Sequence, residues 1–183
     1  METEEIPALP ALRSLGKLAD VRPTIVIDTR EQEPLPFERL PTVRAGLRAG
    51  DYSFLGGEEY FAVERKSIAD LVSCCVNSNR ERFEWELHRL RGFHFRRLLV
   101  VGAREDIEQG LYRSNITPKA VLATLSAFEV RHGIPVVFLP APAPAGRQIE
   151  SWAYWCAREI VVQANTLLRG SLPPSPQEQL QSC

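Results

Sequence analysis

The sequence lacks the marks of several protein classes. No apolar run approaches the ~20 residues that a membrane-spanning helix needs, and the acidic, proline-containing start does not have the pattern of a secretory signal. The four cysteines show no CxxC spacing and no paired framework, so we expect small core residues in a reducing, cytoplasmic setting rather than disulfides or metal ligands. The net charge is −1, which argues against a general nucleic-acid coat protein, because such proteins carry a strong basic excess.

What the sequence has is the composition of an ordinary globular domain. The chain has 183 residues, of which 44% are apolar and 25% charged, values typical of one domain with a sizeable core. Prolines and only a short leucine-containing patch mark residues 1–22 as an N-terminal arm. The Pro/Ser/Gln-rich residues 170–183 predict a disordered tail, which leaves residues 23–169 for the domain.

Apolar patterns along this domain predict an α/β fold. Strands are expected at residues 24–27, 43–47, 60–63, 98–101 and 136–139, and helices from residue 67, from residue 78, at 117–133 and at 147–169. Residues 140–146 are expected to form a proline-alanine loop. This order of elements favours a central mixed sheet covered by helices.

Charged residues gather at the end of one predicted strand, where Glu64, Arg65 and Lys66 follow an apolar run. Because side chains alternate in a strand, Glu64 and Lys66 should share one face and Arg65 should point the other way. A hairpin that turns at a Gly-Gly pair would bring Asp51 beside Glu64. Two carboxylates suit Mg²⁺, which completes its coordination with waters and phosphate oxygens. Lys66 could then orient or deprotonate a water, or stabilise charge on the phosphate.

The order of these motifs resembles that of a known nuclease family. The chain reads Ile-Asp-Thr-Arg-Glu over residues 27–31, Gly-Asp at 50–51 and Glu-Arg-Lys-Ser-Ile-Ala-Asp over 64–70. These segments are similar to the VDxRE-like strand end and to the GD and ERKxxxD elements of the ERCC4-type (XPF/Mus81) structure-specific endonucleases. The resemblance runs over about residues 24–169, and its ERKxxxD element is specific. The compact layout looks like the stand-alone bacterial or phage forms of that family.

The resemblance implies a fold, an activity and a set of site residues. The fold is the restriction-endonuclease-like α/β fold, a central mixed β-sheet flanked by helices with the metal carboxylates at adjoining strand ends. The activity is Mg²⁺- or Mn²⁺-dependent hydrolysis of phosphodiester bonds in branched DNA, such as flaps and forks. The metal ligands would be Asp51, Glu64 and Asp28. The other matched positions of the catalytic site are Arg30, Glu31, Arg65, Lys66 and Asp70.

Two of these positions also have a structural interpretation. Ser67 and Asp70 have the spacing of a capping box at a helix start, a role that is compatible with a place in the catalytic site. Arg65 points away from Glu64 on an ideal strand, so its alternative role is to hold the site together through an ion pair, for which Glu31 is the candidate partner.

Arginines dominate the predicted helix that begins near residue 78. We predict that Arg80, Arg82 and Arg89 contact DNA phosphates, with Arg80 on the side of the active site. A solvated helix face with i, i+4 pairs such as Arg82 with Glu86 explains the same pattern, and this alternative stays open.

The sequence leaves function and assembly open in three respects. The chain could be a catalytically inert DNA-binding or scaffolding subunit, although the intact carboxylate and lysine set argues against that. It could also be a resolvase- or restriction-type nuclease with another substrate.

No helicase-like or helix-hairpin-helix segment of the larger relatives is matched, which puts dimerisation in doubt. Yet Trp152, Tyr154 and Trp155 stand within one helical turn, so at least one large aromatic should lie near the surface and support a homodimer, unless the loop at 140–146 covers it.

Overall fold

The computed structural model of the chain describes residues 21–171, without the side chains of residues 77–78 and 168–171. All but two residues of the predicted arm (1–22) and all but two of the predicted tail (170–183) lie outside the described residues. Residues 22–157 form one compact unit, while α5 from Arg158 onward belongs to a second. Every site residue discussed below belongs to the unit formed by residues 22–157.

Eleven elements make up the described part of the chain. In order they are β1 (Ile25–Asp28), β2 (Thr42–Ala45), β3 (Tyr52–Phe54), β4 (Phe61–Ser67), α1 (Ile68–Ser73), α2 (Asn77–Leu90), β5 (Phe95–Val101), α3 (Arg104–Glu108), α4 (Pro118–His132), β6 (Val136–Leu139) and α5 (Pro142–Ser171). None of the helices within residues 21–171 combines the length and the apolar content that crossing a membrane requires.

The strands form one mixed sheet in the order β2-β1-β3-β4-β5-β6. β3 runs antiparallel to β1 and to β4, whereas β1 with β2, β4 with β5, and β5 with β6 pair in parallel. Parallel neighbours need a crossover connection. Helices α1 and α2 supply it between β4 and β5, and α3 and α4 supply it between β5 and β6. A mixed sheet flanked by helices confirms the predicted fold class.

The sheet carries packed side chains on both faces. Leu98 and Val100 of β5 belong to one apolar cluster with residues of α1, α2 and α4. Phe95 lies an odd number of residues away on the same strand, so its side chain projects from the opposite face. It contacts Trp152 of α5, with ring centroids 5.6 Å apart. Because side chains alternate along a strand, α5 covers the face opposite to α2 and α4.

The helix boundaries test three of the predictions. α4 confirms one of them, because Thr117 caps its start and Gly133 ends it with a φ of +61°. The predicted loop at 140–146 is wrong, because α5 begins at Pro142; proline is tolerated in a first helical turn, whose N–H groups have no partner inside the helix. The helix predicted to begin near residue 78 is α2, which begins at Asn77, with Val76 at its N-cap and no side-chain hydrogen bond there.

Candidate active site

The site is built where β3 begins and β4 ends. The N–H of Asp51 donates to the carbonyl oxygen of Val63 at 2.8 Å, and Oδ2 of Asp51 accepts the N–H of Arg65 at 2.7 Å. Gly50 has a φ of +78°, and a Cβ atom there would lie 3.0 Å from the Val63 carbonyl oxygen, so glycine is the residue that fits without strain. The hairpin therefore sets Asp51 beside Glu64, as the sequence predicts.

These two carboxylates share a buried environment. Glu64 is 6% exposed, and burial raises its pKa even though Nζ of Lys66 lies 2.5 Å from its Oε1 atom. Burial, and after it the repulsion of Glu64, raises the pKa of Asp51 to about 7. Neighbouring carboxylates that resist ionisation are the arrangement that a bound cation stabilises.

Acidic neighbours hold Lys66 as an ammonium. Burial alone would lower its pKa, but the attraction of Glu64 and of Glu86 raises it above its ordinary value. The Nζ atom lies 3.5 Å from Oε2 of Glu86 on α2. A charged lysine donates hydrogen bonds, which suits the orienting and charge-stabilising roles. Glu86 was missed by the sequence analysis, because α2 and β4 approach each other only in the fold.

Asp28 accepts hydrogen bonds from the backbone of two neighbouring segments. It is 1% exposed, and its Oδ1 atom accepts the N–H and the Nε–H of Arg30 at 2.9 and 2.6 Å. Oδ2 accepts the N–H of Leu47 at 2.6 Å. Burial would raise the pKa of Asp28, but these hydrogen bonds together lower it. Asp28 thus fastens the end of β1 to the loop before β3, and both of its oxygens are engaged without a metal.

Arg65 makes the ion pair that its position on β4 predicts. Its Nη1 atom lies 4.0 Å from Oε1 of Glu31. The Oε1 atom of Glu31 also accepts the N–H of Glu33 at 2.8 Å. The Nε atom of Arg65 is buried and has no hydrogen-bond partner among the described residues, while the residue lines the pocket described below.

The start of α1 has the predicted cap. Oγ of Ser67 accepts the N–H of Asp70 at 3.1 Å, and the hydroxyl donates to Oδ2 of Asp70 at 2.7 Å. The carboxylate of Asp70 therefore returns to the capping side chain rather than to the backbone amide of a capping box. Asp70 also lines the pocket beside Lys66, so its capping role and its place in the site are compatible.

One pocket gathers most of the predicted site residues above the ends of β1 and β4. Its acidic side chains are Glu31, Asp51 and Asp70, its basic ones are Arg30, Arg65, Lys66 and Arg82, and Ser73, Cys74 and Asn79 complete its wall. Asn79 is a further residue that the sequence analysis missed; its Nδ2 atom donates to Oγ of Ser73 at 2.9 Å. The four basic side chains make this pocket attractive to phosphate although the chain as a whole carries a net charge of −1.

The three predicted DNA-binding arginines point to different places. Arg82 lines the pocket. Arg80 instead pairs with Glu84 at 3.2 Å and lies over the ring of Phe128 at 5.6 Å, so the prediction that Arg80 faces the active site is wrong. Its guanidinium pairs with a carboxylate of its own helix and lies against an aromatic ring of α4. Arg89 lies two turns beyond Arg82 on α2.

Comparison with known proteins matches this site to a family. The sequence profile of the ERCC4 domain matches residues 27–151, a stretch that contains every site residue described above. The chain belongs to the ERCC4 domain family. Among curated proteins, none matches the sequence significantly.

Two solved structures are similar to this ERCC4 domain. XPF from Aeropyrum pernix shares 21% sequence identity and a TM-score of 0.59, over 73% of this chain and 61% of that one. XPF from Aeropyrum pernix in complex with DNA shares 23% identity and a TM-score of 0.58, over 75% and 66%. At this level of identity the likeness shows the fold, and this chain spans less than two thirds of either protein.

The carboxylates of this ERCC4 domain fit a hard divalent cation as a pair. Among residues 21–171, no three His, Cys, Asp or Glu side chains are grouped so that they could hold a metal ion by themselves. Mg²⁺, however, is commonly bound by one or two carboxylates together with waters and substrate phosphates. Asp51 and Glu64 supply that pair, and the buried environment that raises the pKa of both makes their neutralisation by a cation favourable.

Proposed function

We propose that the protein is a metal-dependent endonuclease that hydrolyses phosphodiester bonds in branched DNA, such as flaps and forks. The observation that carries the proposal is a pocket that Asp51 and Lys66 line together with three arginines, with the buried Glu64 in contact with Lys66, within a chain of the ERCC4 domain family. The similar structure of XPF in complex with DNA supports nucleic acid as the ligand.

The proposed ligands of Mg²⁺ or Mn²⁺ are Asp51 and Glu64. Asp28 was expected as a third, but we assign it to holding Arg30, because both of its oxygens are engaged. A divalent ion bound there would polarise the scissile phosphate and lower the pKa of a bound water.

The other side chains act on the phosphate and on the water. Lys66, kept charged by Glu64 and Glu86, donates to the attacking water or to the negative charge that develops on the phosphate. Arg30 and Arg82 line the pocket from two sides and bind flanking phosphates. The guanidinium of Arg65 lines the same pocket and adds to its positive charge.

A cleavage assay tests this proposal. The purified protein is incubated with Mg²⁺ or Mn²⁺ and labelled duplex, single-stranded, flap, fork and four-way DNA. We expect cleavage of the forms with a junction, and a loss of orders of magnitude in Asp51→Asn and in Glu64→Gln, while Glu105→Gln on the exposed side of α3 stays active.

The outcomes separate the proposed function from its alternatives. Binding without cleavage in both metals would identify an inert DNA-binding subunit. Preference for four-way or plain duplex DNA would identify a resolvase- or restriction-type enzyme. Cleavage by Asp51→Asn at the wild-type rate would show that the metal site has been assigned to the wrong residues.

Assembly and location belong to the same proposal. Trp155 is 61% exposed on α5, and we propose that this helix takes part in a homodimer, because large exposed aromatics are enriched at protein interfaces. We also propose that the protein works in the cytoplasm, where its free cysteines Cys74, Cys75 and Cys156 would stay reduced.

A further inference from the structure

The indole of Trp85 lies at the surface of α2, outside the catalytic set. It is 68% exposed, and the only ring contact described for it is an edge contact with His88, with centroids 5.9 Å apart. Isolated exposed apolar side chains are common and need no explanation. Trp85 is different because of the residues that flank it on the same helix.

Two arginines stand on either side of Trp85. Arg82, Trp85 and Arg89 occupy positions i, i+3 and i+7 of α2, so they follow one another along one side of the helix. At 1.5 Å per residue the two arginines are about 10 Å apart along the axis, a length of roughly three nucleotide steps at the ~3.4 Å rise of one DNA strand. Arg82 lines the catalytic pocket, so this row begins at the site of cleavage and leads away from it.

Both arginines are available to phosphates. The side chain of Arg82 is 77% exposed, and its nearest carboxylate, on Glu86, lies 4.0 Å away. Arg89 is exposed, makes no ion pair within the described part of the chain, and faces a groove that it shares with Arg48. Arg48 adds a further positive charge near the end of the row, although Glu59 pairs with it at 2.7 Å.

The opposite flank of Trp85 is acidic. Glu81 and Glu84 border the hollow in front of its ring on the side of α4, and Glu84 is already paired with Arg80 and Arg131 at 3.2 and 3.4 Å. A nucleic-acid backbone is therefore attracted more strongly to the flank of Arg82 and Arg89 than to this one, whose own arginines are engaged by Glu84. A strand held along Arg82 and Arg89 therefore has its bases, rather than its phosphates, within reach of the indole.

We propose that Trp85 stacks on an unpaired base of the DNA strand that leaves the catalytic pocket, while Arg82 and Arg89 hold phosphates of the same strand roughly three nucleotide steps apart, on either side of the stacked base. Aromatic side chains between basic residues bind single-stranded nucleic acid in this way, because every base has a face that can stack. In a duplex both faces are covered by neighbouring base pairs. The row thus selects a junction that has an unpaired arm; this inference rests on the proposed nuclease function and defines its substrate.

Binding to forks with and without bases in the arm tests the stacking. Affinity is measured in EDTA, where cleavage is blocked, for a fork with a normal single-stranded arm and for the same fork with abasic sites next to the junction. We expect Trp85→Ala to weaken binding to the normal fork by roughly 5- to 150-fold, the range for one base stacked on an aromatic ring. On the abasic fork the wild type and Trp85→Ala should bind equally, and Trp85→Phe should keep most of the affinity.

The controls separate stacking from other effects. Leu111→Ala removes another exposed apolar side chain, 63% exposed, and should bind both forks like the wild type. Equal losses for Trp85→Ala on the two forks, or no loss on either, would overturn the proposal. A change of sedimentation in Trp85→Ala would also overturn it, since the surface would then be a protein interface.

Failure of this inference is distinguishable from failure of the proposed function. If the wild type cleaves flaps in Mg²⁺ and Trp85→Ala binds normally, the nuclease assignment stands and the stacking role is wrong. If Trp85 shows the base-dependent effect but no DNA is cleaved in either metal, the stacking role stands and the nuclease assignment is wrong.

Discussion

The folded protein disfavours the ionised form of the Asp51 carboxyl group. Burial and the neighbouring Glu64 raise its pKa from the ordinary value of 3.8 to about 7. Since the folded pKa lies above the unfolded one, this group favours folding fully below pH 3.8, and its contribution is lost as the pH rises through about 7. The same repulsion that prepares Asp51 for a cation therefore costs stability in the metal-free protein at neutral and higher pH.

We predict that Asp51→Asn removes the loss of stability that the metal-free wild type shows as the pH rises. In EDTA, the unfolding free energy of the wild type should fall by about 2–3 kcal/mol relative to that of the variant between pH 5 and pH 8, since about two units of the pKa shift are expressed in this range and one unit corresponds to ~1.4 kcal/mol. Urea unfolding at several pH values measures the difference, and Glu105→Gln controls for loss of an exposed carboxylate. Parallel stability curves for the variant and the wild type would contradict the prediction.

Glu86 is a second carboxylate that contacts the ammonium group of Lys66. It contacts Nζ of Lys66 from α2 at 3.5 Å, while Glu64 contacts it from β4 at 2.5 Å. We predict that Glu86→Gln lowers the turnover of flap DNA without weakening its binding, because Lys66 loses a charge that positions it and the pocket becomes less acidic.

Glu84→Gln is the matched control for Glu86. It lies on the same helix and is similarly exposed, 32% against 27%, but its partners are Arg80 and Arg131. Single-turnover rates and DNA affinities of both variants are compared with the wild type. A loss of turnover in Glu84→Gln as large as in Glu86→Gln would mean that α2, rather than Lys66, is disturbed.

The arrangement of Asp51, Glu64 and Lys66, the proposed catalytic residues, was predictable because it follows from strand alternation and one hairpin. Asp51 meets Glu64 across neighbouring strands, and Lys66 stands two residues farther on the same face. The partners of Asp28 and Lys66 were not predictable in the same way. Leu47 and Glu86 reach them from a loop and a helix whose placement depends on the whole sheet.

The first turns of α5 hold the loop that follows β1. Oε1 of Glu150, a residue only 3% exposed, accepts the N–H groups of Glu38, Arg39 and Leu40 at 2.9, 2.6 and 3.0 Å. The sequence analysis assigned the beginning of this helix to a loop, because its prolines and alanines have no apolar period. Small residues are needed at the beginning of α5 because the loop that follows β1 packs closely against it.

Gly146 marks the closest approach of this loop to α5. A Cβ atom on Gly146 would lie 1.9 Å from the carbonyl oxygen of Pro36. Although alanine is normally the better helix former, we predict that Gly146→Ala destabilises the protein by about 1–3 kcal/mol or more, because the backbone must move apart. Gly92→Ala is the control, since its Cβ would meet only the carbonyl oxygen of Arg89, at 3.7 Å. Equal melting temperatures of the two variants would show that the loop moves freely.

The order of the strands is a property of the whole sheet that local patterns do not contain. The apolar runs predicted the strands and the α/β class. Only the fold shows β2 at the edge beside β1, with β3 inserted between β1 and β4. Such pairings depend on contacts far apart in the chain and on connections that can close in more than one way. The ERCC4 resemblance implied a central mixed sheet flanked by helices, and the structure confirms that fold class.

The exposed surface of α5 bears on whether the protein forms a homodimer. The sequence predicted an exposed aromatic in α5, and Trp155 is 61% exposed, whereas the loop proposed to cover it is the helix start itself. If α5 forms a homodimer interface, a charge at its centre should separate the subunits, because an unpaired buried carboxylate costs several kcal/mol. We predict a dimer for the wild type at micromolar concentration and a monomer for Trp155→Glu in sedimentation velocity. Leu111→Glu, at a site 63% exposed in the connection between α3 and α4, should remain dimeric, and a monomeric wild type would end the dimer hypothesis.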